Sequence, residues 1–218
     1  MIFERHIKLF ENFEKIRNAS VFVAGAGGLG STVLTLLVRI GVGTVYFADC
    51  AVIDEPDLNR QILYTYLDIG KPKTFVAKQK LEEMSPYTKI HSINAKLDEN
   101  FQLPDVDLVI DCLDSFQGKF LLDKLCHKYG KPLVHAGVEG FQGQVTVIIP
   151  GKTFSLRALF HGAKDENRTR QVFPSTVLVA ASLEVCEAVK LICQEKDLLT
   201  NKILFFNLKS NSFEVVGI

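Results

Sequence analysis

A chain of 218 residues that is 47% hydrophobic and 23% charged has ordinary globular composition and enough length to bury a substantial core. Lysine plus arginine and aspartate plus glutamate balance at 25 each, so no global field marks a nucleic-acid or anionic-membrane partner, and any anion site must be local. MIFERHIKLF lacks the layout of a signal peptide, and no apolar run reaches membrane-span length.

Five cysteines, at 50, 112, 126, 186 and 193, include no CxxC pair and suggest neither a disulfide framework nor a cysteine zinc site. A cytoplasmic protein of one domain, 1–218, is expected. In chain order, Ile2, Phe3, Phe10, Phe13 and Ile16 fall near helical spacing among charges and predict an amphipathic helix over 2–17. SVFVAG reads as a buried strand entering a glycine loop and a helix from about Ser31 to Ile40, closed by Gly41 and Gly43. TVYFAD (44–49) is the next strand, which completes the βαβ unit of a doubly wound sheet. A helix FVAKQKLEEM ending at Ser85-Pro86, the strand KIHSINA, the strand DLVIDC (107–112), a helix around 117–129 and the strand PLVHAG follow. QVTVIIP (144–150), KILFFNL (202–208) and SFEVVGI are strands separated by turns or by one helix, about 175–194, so the C-terminal third reads as antiparallel. Gly151 to Pro174 is long, polar and without periodicity, a loop of the kind that tends to be functional or mobile. The expected class is α/β: a doubly wound mixed sheet, parallel in its N-terminal part, with helices on both faces.

The loop Gly25-Ala26-Gly27-Gly28-Leu29-Gly30 allows close approach of backbone to phosphate, and the helix behind it offers unpaired N–H groups. Asp49 ends the second strand, where a carboxylate can accept ribose hydroxyls. This much indicates a nucleotide without saying which. Arg60, in Asp57-Leu58-Asn59-Arg60-Gln61, and Lys73, in Gly70-Lys71-Pro72-Lys73, add cations suited to a triphosphate and superfluous for hydride transfer. Asp111-Cys112-Leu113-Asp114-Ser115 stands at the C-terminal end of an apolar strand, where open sheets bind ligands. One carboxylate there could hold Mg²⁺ on phosphates, and capping of the following helix is the competing reading for either aspartate. The five histidines form no local cluster, and Cys112, Cys186 and Cys193 read as core residues.

Together, Gly25–Gly30, Asp49, LNRQ at 58–61, PK at 72–73, DCLD at 111–114, GVEGFQGQVTV at 137–147 and SLEVCEAVKL at 182–191 resemble the ThiF/MoeB/HesA family, bacterial relatives of ubiquitin-activating enzymes. The resemblance runs from about Phe3 to the last strand. It implies a Rossmann-like homodimer that binds ATP and Mg²⁺ and adenylates the C-terminal glycine carboxylate of a small ubiquitin-like sulfur carrier protein of the ThiS/MoaD type. Carried over, it implies that Gly25, Gly27, Gly28 and Gly30 line the phosphates and Asp49 holds the ribose. Arg60 and Lys73 would contact phosphates, Asp114 would hold the metal, and Gln61 and Asp57 would border the nucleotide. Arg5 would enter the partner subunit's site.

The departures are specific. Asp57 stands where the family usually has Asn, Ala51 replaces a second acidic residue, and Ser115 replaces a usual Asn. SLRAL (155–159) and the terminal VVGI stand where many relatives carry CxxC pairs, so no structural zinc is expected. No cysteine lies in 151–174, which leaves adenylation without covalent transfer as the expected chemistry. An NAD-dependent oxidoreductase, a relative adenylating a tRNA-base carboxylate, and a non-catalytic nucleotide-binding scaffold of the same fold are the alternatives.

Overall fold

The computed structural model describes residues 2–165 and 171–218. In chain order the elements are α1 (Phe13–Asn18), β1 (Ser20–Ala24), α2 (Gly28–Ile40), β2 (Thr44–Asp49), α3 (Lys73–Met84) and β3 (Lys89–Asn94). Then come β4 (Leu108–Asp111), α4 (Phe116–Tyr129), β5 (Leu133–Glu139), β6 (Gln142–Ile148), α5 (Leu156–Leu159), α6 (Pro174–Cys193), β7 (Lys202–Asn207) and β8 (Ser212–Gly217). One eight-stranded sheet carries them in the order β3-β2-β1-β4-β5-β6-β7-β8. β3 through β5 are parallel, and β6, β7 and β8 add on antiparallel.

The strands of the middle are buried on both faces, and their side chains alternate between two apolar layers. Val21, Val23, Val45, Phe47 and Ile110 join the layer under α1, α2, α3 and α6. Phe22, Ala24, Val109 and Leu133 join the layer under α4 and α5, with Leu122, Cys126 and Leu156. Helices therefore cover both faces. Among the described residues, no helix is long and apolar enough to cross a membrane.

The strand order sets the site. From β1 the chain winds out through β2 and β3, then returns to lay β4 on the other side of β1. The loops leaving β1 and β4 diverge to opposite faces and open a crevice beyond their C-terminal ends. The register brings the two exits together: Cys112 N–H donates to Ala24 O at 3.0 Å, and Gly25 N–H to Ala48 O at 2.8 Å.

Three expectations change. The helix over 2–17 is a 3-10 turn, Ile7–Leu9, an extended Phe10, and the separate helix α1. Its aromatic residues form a knot instead of a stripe: the Phe3 ring lies 5.4 Å from Phe13 and packs on Gly41, while Asn12 starts α1 afresh by accepting Glu14 N–H. The stretch 151–174 is not all loop. Ser155 caps α5, Leu156 is fully buried, and residues 166–170 lie outside the described residues. Cys186 is exposed and Cys193 partly exposed, whereas Cys112 is buried as expected. α6 turns Ala180, Ala181, Glu184, Val185 and Ala188 toward the sheet, which leaves the Ser182–Cys186 row facing out.

Candidate nucleotide site at the sheet switch point

The glycines divide by task. Gly25 has φ +99°, a conformation open to glycine, and a Cβ on it would stand 2.8 Å from Cys112 O. A Cβ on Gly30 would stand 2.0 Å from Gly25 O, so α2 packs against its own entry loop at backbone contact. Gly27 and Gly28 border the residues brought in from the next connection: their Cβ positions lie 3.7 Å from Gln61 Nε2 and 3.5 Å from Arg60 Cγ, respectively. Val177, in the first turn of α6, closes the same point, 3.1 Å from the Gly28 Cβ position. The helix begins at Gly28, ahead of the expected Ser31, because Ser31 N–H already donates to Gly27 O at 2.8 Å.

Asp49 holds the loop. Its Oδ2 accepts Ala26 N–H at 2.8 Å and its Oδ1 accepts Ala51 N–H at 2.7 Å. Each carboxylate oxygen keeps a lone pair for a ligand hydroxyl. From the other side, the buried Tyr64 hydroxyl donates to Ala26 O at 2.8 Å. Burial, and then the charges of Asp49, Asp57 and Asp68, hold the Tyr64 phenol far above its usual titration range. The Ala26 peptide is thus clamped at both ends, and Tyr64 is a site residue that no sequence motif announced.

The cations meet through Asp57. Lys73, the first residue of α3 and only 7% exposed, places Nζ 3.0 Å from Asp57 Oδ2. Gln61 donates from Nε2 to Asp57 Oδ1 at 2.6 Å, and the Arg60 guanidinium lies 3.8 Å from the same oxygen. Arg60 is further steadied by Pro56 O at 2.8 Å and Asn59 Oδ1 at 2.9 Å. Arg60, Gln61, Lys73 and Asp57 are therefore one cluster, with Arg60 and Gln61 set against Gly27 and Gly28.

Asp111 and Asp114 separate in role. Asp111 is fully buried; His135 Nδ1 lies 2.7 Å and Lys119 Nζ 3.2 Å from its Oδ2, and Leu113 N–H donates to its Oδ1. Burial opposes its charge, but Lys119 and His135 win, and the carboxyl titrates below its usual range. Burial holds His135 below its usual value, so the imidazole is neutral. On the other face Glu184 is fully buried beside the Ala136 backbone, with no well-formed hydrogen bond to either carboxyl oxygen among the described residues. Burial, then the charge of Asp111, pushes its carboxyl well up, so Glu184 carries its proton. Asp114 is exposed at the mouth of the crevice.

Neither aspartate caps α4. Ser115 does so, accepting Gly118 N–H at 3.1 Å, and Asp165 accepts Phe116 N–H at 2.7 Å and Gln117 N–H at 3.0 Å. Asp165 pins the connection that follows α5 onto the helix next to Asp114. Its isolated position in the sequence gave no signal.

Arg5 is not in this cluster. It is exposed on the N-terminal turn, whose Phe3 packs on Gly41 at the far end of α2. The helix between that end and the glycine loop has 13 residues, about 20 Å at 1.5 Å per residue. That is beyond the reach of an arginine side chain within the same chain.

The residues fit a nucleotide by their own chemistry. Cations and a glycine cradle suit phosphates, and the buried Gln61 Oε1, without a donor among the described residues, suits a hydroxyl or a metal-bound water. Among the described residues, no group of three or more His, Cys, Asp or Glu is placed to hold a metal ion. A Mg²⁺ held by one carboxylate and shared with phosphate oxygens is compatible with that donor set.

Fold and geometry define an open α/β protein with a glycine-rich loop and a cation cluster at its switch point. The sequence matches the ThiF family over residues 3–218, and the chain belongs to that family. It is 30% identical over 214 residues to the SAMP-activating enzyme E1 of Haloferax volcanii, a match covering 93% of this chain and 77% of that protein. It is 33% identical over 216 residues to the sulfur carrier protein adenylyltransferase of Thermus thermophilus, covering 93% and 80%. Among solved structures, E. coli MccB with ATP aligns with a TM-score of 0.88 at 22% identity, covering 100% of this chain and 70% of that one, a likeness of fold.

Proposed function

We propose that this chain is an ATP-dependent adenylyltransferase. It activates the C-terminal glycine carboxylate of a small ubiquitin-like sulfur carrier of the ThiS/MoaD type, ending in Gly-Gly. The observation that carries the reading is the cluster of Arg60, Gln61 and Lys73 gathered by Asp57 against Gly27 and Gly28. Relatives named as adenylyltransferases support it. Two cations at the glycine loop are what a triphosphate requires and a hydride carrier does not, so no feature of the site favours the oxidoreductase.

In this reading the acceptor carboxylate is itself the nucleophile and needs no general base. Its oxygen bonds to the α-phosphorus as the bond to the β-phosphate bridging oxygen breaks, and pyrophosphate leaves with that electron pair. Gly25, Gly27, Gly28 and Gly30 form the loop beneath the phosphates, and Asp49 and the Tyr64-clamped Ala26 peptide fix the ribose side. Arg60 and Lys73 balance charge as it moves to the leaving group, a preorganised electrostatic contribution. A Mg²⁺ held by Asp114 would neutralise the phosphates further.

Arg5, remote from its own chain's loop, would serve a second copy, which makes the working form a homodimer. Its place is the cytoplasm, and neither nucleic acid nor membrane is a partner. Mixing the protein with ATP, Mg²⁺ and Gly-Gly-terminated carriers should yield carrier-dependent ATP–pyrophosphate exchange and an AMP adduct by intact mass. Arg60→Ala and Lys73→Ala should each lower exchange by about 10²–10³-fold. Exchange in either variant within a few-fold of the parent would remove that residue from the mechanism.

A further inference from the structure

The carboxylate of Asp57 lies inside a cation cluster that faces an anion-binding loop. Its Oδ2 is 3.0 Å from Lys73 Nζ, and its Oδ1 is 2.6 Å from Gln61 Nε2 and 3.8 Å from the Arg60 guanidinium. Asp54 N–H donates to Oδ2 at 3.2 Å, which fixes the carboxylate to its own turn. A buried Lys73 would otherwise hold an unbalanced charge, so Asp57 completes the site when no nucleotide is bound. The short contact to a carboxylate also fixes Gln61's amide: the NH₂ end meets Asp57, and Oε1 is the end left buried without a donor.

A triphosphate entering here meets an awkward inventory. Its oxygens are anionic acceptors, so they repel Asp57, compete with it for Lys73 and Arg60, and offer Gln61 Oε1 nothing. A hydrated divalent cation supplies what is missing, positive charge for Asp57 and O–H donors for Oε1. Resting on the nucleotide reading above, we infer that Asp57, with Gln61, makes nucleotide binding at this site conditional on a divalent cation. Metal-free triphosphate is rejected by the carboxylate that the metal complex accommodates. Asp57 is thus a specificity-determining residue, and its charge, beyond its hydrogen bonds, does the selecting.

Calorimetric titration of the whole chain with ATP in excess Mg²⁺ and with ATP in EDTA tests this. The parent should bind the Mg²⁺ complex at least tenfold more tightly. In Asp57→Asn, which keeps the shape, affinity for ATP in EDTA should rise roughly tenfold or more, the scale of one removed like-charge contact at short range. Affinity for the Mg²⁺ complex should change far less, so the ratio between the two collapses. A part played only in holding the fold or orienting Lys73 would weaken both forms alike. That result, or a ratio unchanged within twofold, overturns the inference and leaves the nucleotide reading standing. A parent that binds ATP under neither condition overturns both. Should Asp57→Asn melt well below the parent, Asp57→Ser, with no charge and less bulk, reads the same ratio.

Discussion

Gly30→Ala is the most direct probe of how the loop is built. The added carbon would lie 2.0 Å from Gly25 O and 2.7 Å from Gly25 C, whereas carbons in real structures keep at least about 3.0 Å. Gly25 has little room to yield, because its N–H is bonded to Ala48 O at 2.8 Å and the space on its side-chain face ends at Cys112 O, 2.8 Å from where a Cβ would stand. The 13-residue helix α2 must therefore retreat by roughly 1 Å from the sheet, loosening Val33, Leu34 and Leu37, all fully buried. Overpacking of this severity costs about 3 kcal/mol. Alanine's better helix propensity returns about 1 kcal/mol, for a net loss near 2 kcal/mol. In a chain of this size that lowers Tm by roughly 4–8 °C.

The control is Gly27→Ala. Its new carbon meets nothing closer than 3.7 Å, so its cost is confined to the backbone, where φ −82° with ψ −141° lies outside the regions alanine favours. About 1 kcal/mol of backbone strain should lower its melting temperature by roughly 2–4 °C, less than Gly30→Ala. Yet its methyl sits beside Gln61 in the cradle, so ATP should no longer raise its melting temperature as it raises the parent's. Thermal scans with and without ATP and Mg²⁺ read both effects. A Gly30→Ala variant that melts with the parent would refute the close-packing account of this loop.

Two further outcomes follow from the buried groups. Glu184 keeps its proton in the folded chain above the ordinary glutamate value of 4.5, so the unfolded chain releases a proton that the folded one retains. Stability should be full below that value and fall as pH rises toward the raised one; Glu184→Gln should flatten this decline in denaturation midpoints measured from pH 4 to 8, and an unchanged slope would contradict a protonated Glu184. Native treatment with a maleimide, read by peptide mass, should modify Cys50 and Cys186 first, while Cys112 and Cys126, buried with their thiols pushed up by burial, react only on denaturation. Early labelling of Cys112 would place it outside the core described here.

Periodicity and punctuation in the sequence determine most elements and the change from parallel to antiparallel pairing, because buried strands and helix stops are local signals. The glycine loop, Asp49, Arg60, Lys73 and Asp114 are legible for the same reason: each is marked by its place relative to a strand or helix end. Tertiary structure alone decides which of them meet. Only the return of β4 beside β1 brings the exits of the two strands together, and only the fold of 54–73 turns Asp57 from a stray charge into the link among Arg60, Gln61 and Lys73. Tyr64, Glu184 and Asp165 carried no signal: Glu184 acts through burial, Tyr64 through a contact across 38 residues of chain, and Asp165 through contacts across 48 and 49. The N-terminal segment failed as one helix for a related reason: Phe3 packs on Gly41, at the far end of α2, and Phe13 packs on Phe3, contacts that the sequence does not reveal. A sequence fixes what each residue prefers next to its neighbours, and burial and charge across the sheet decide which preferences hold.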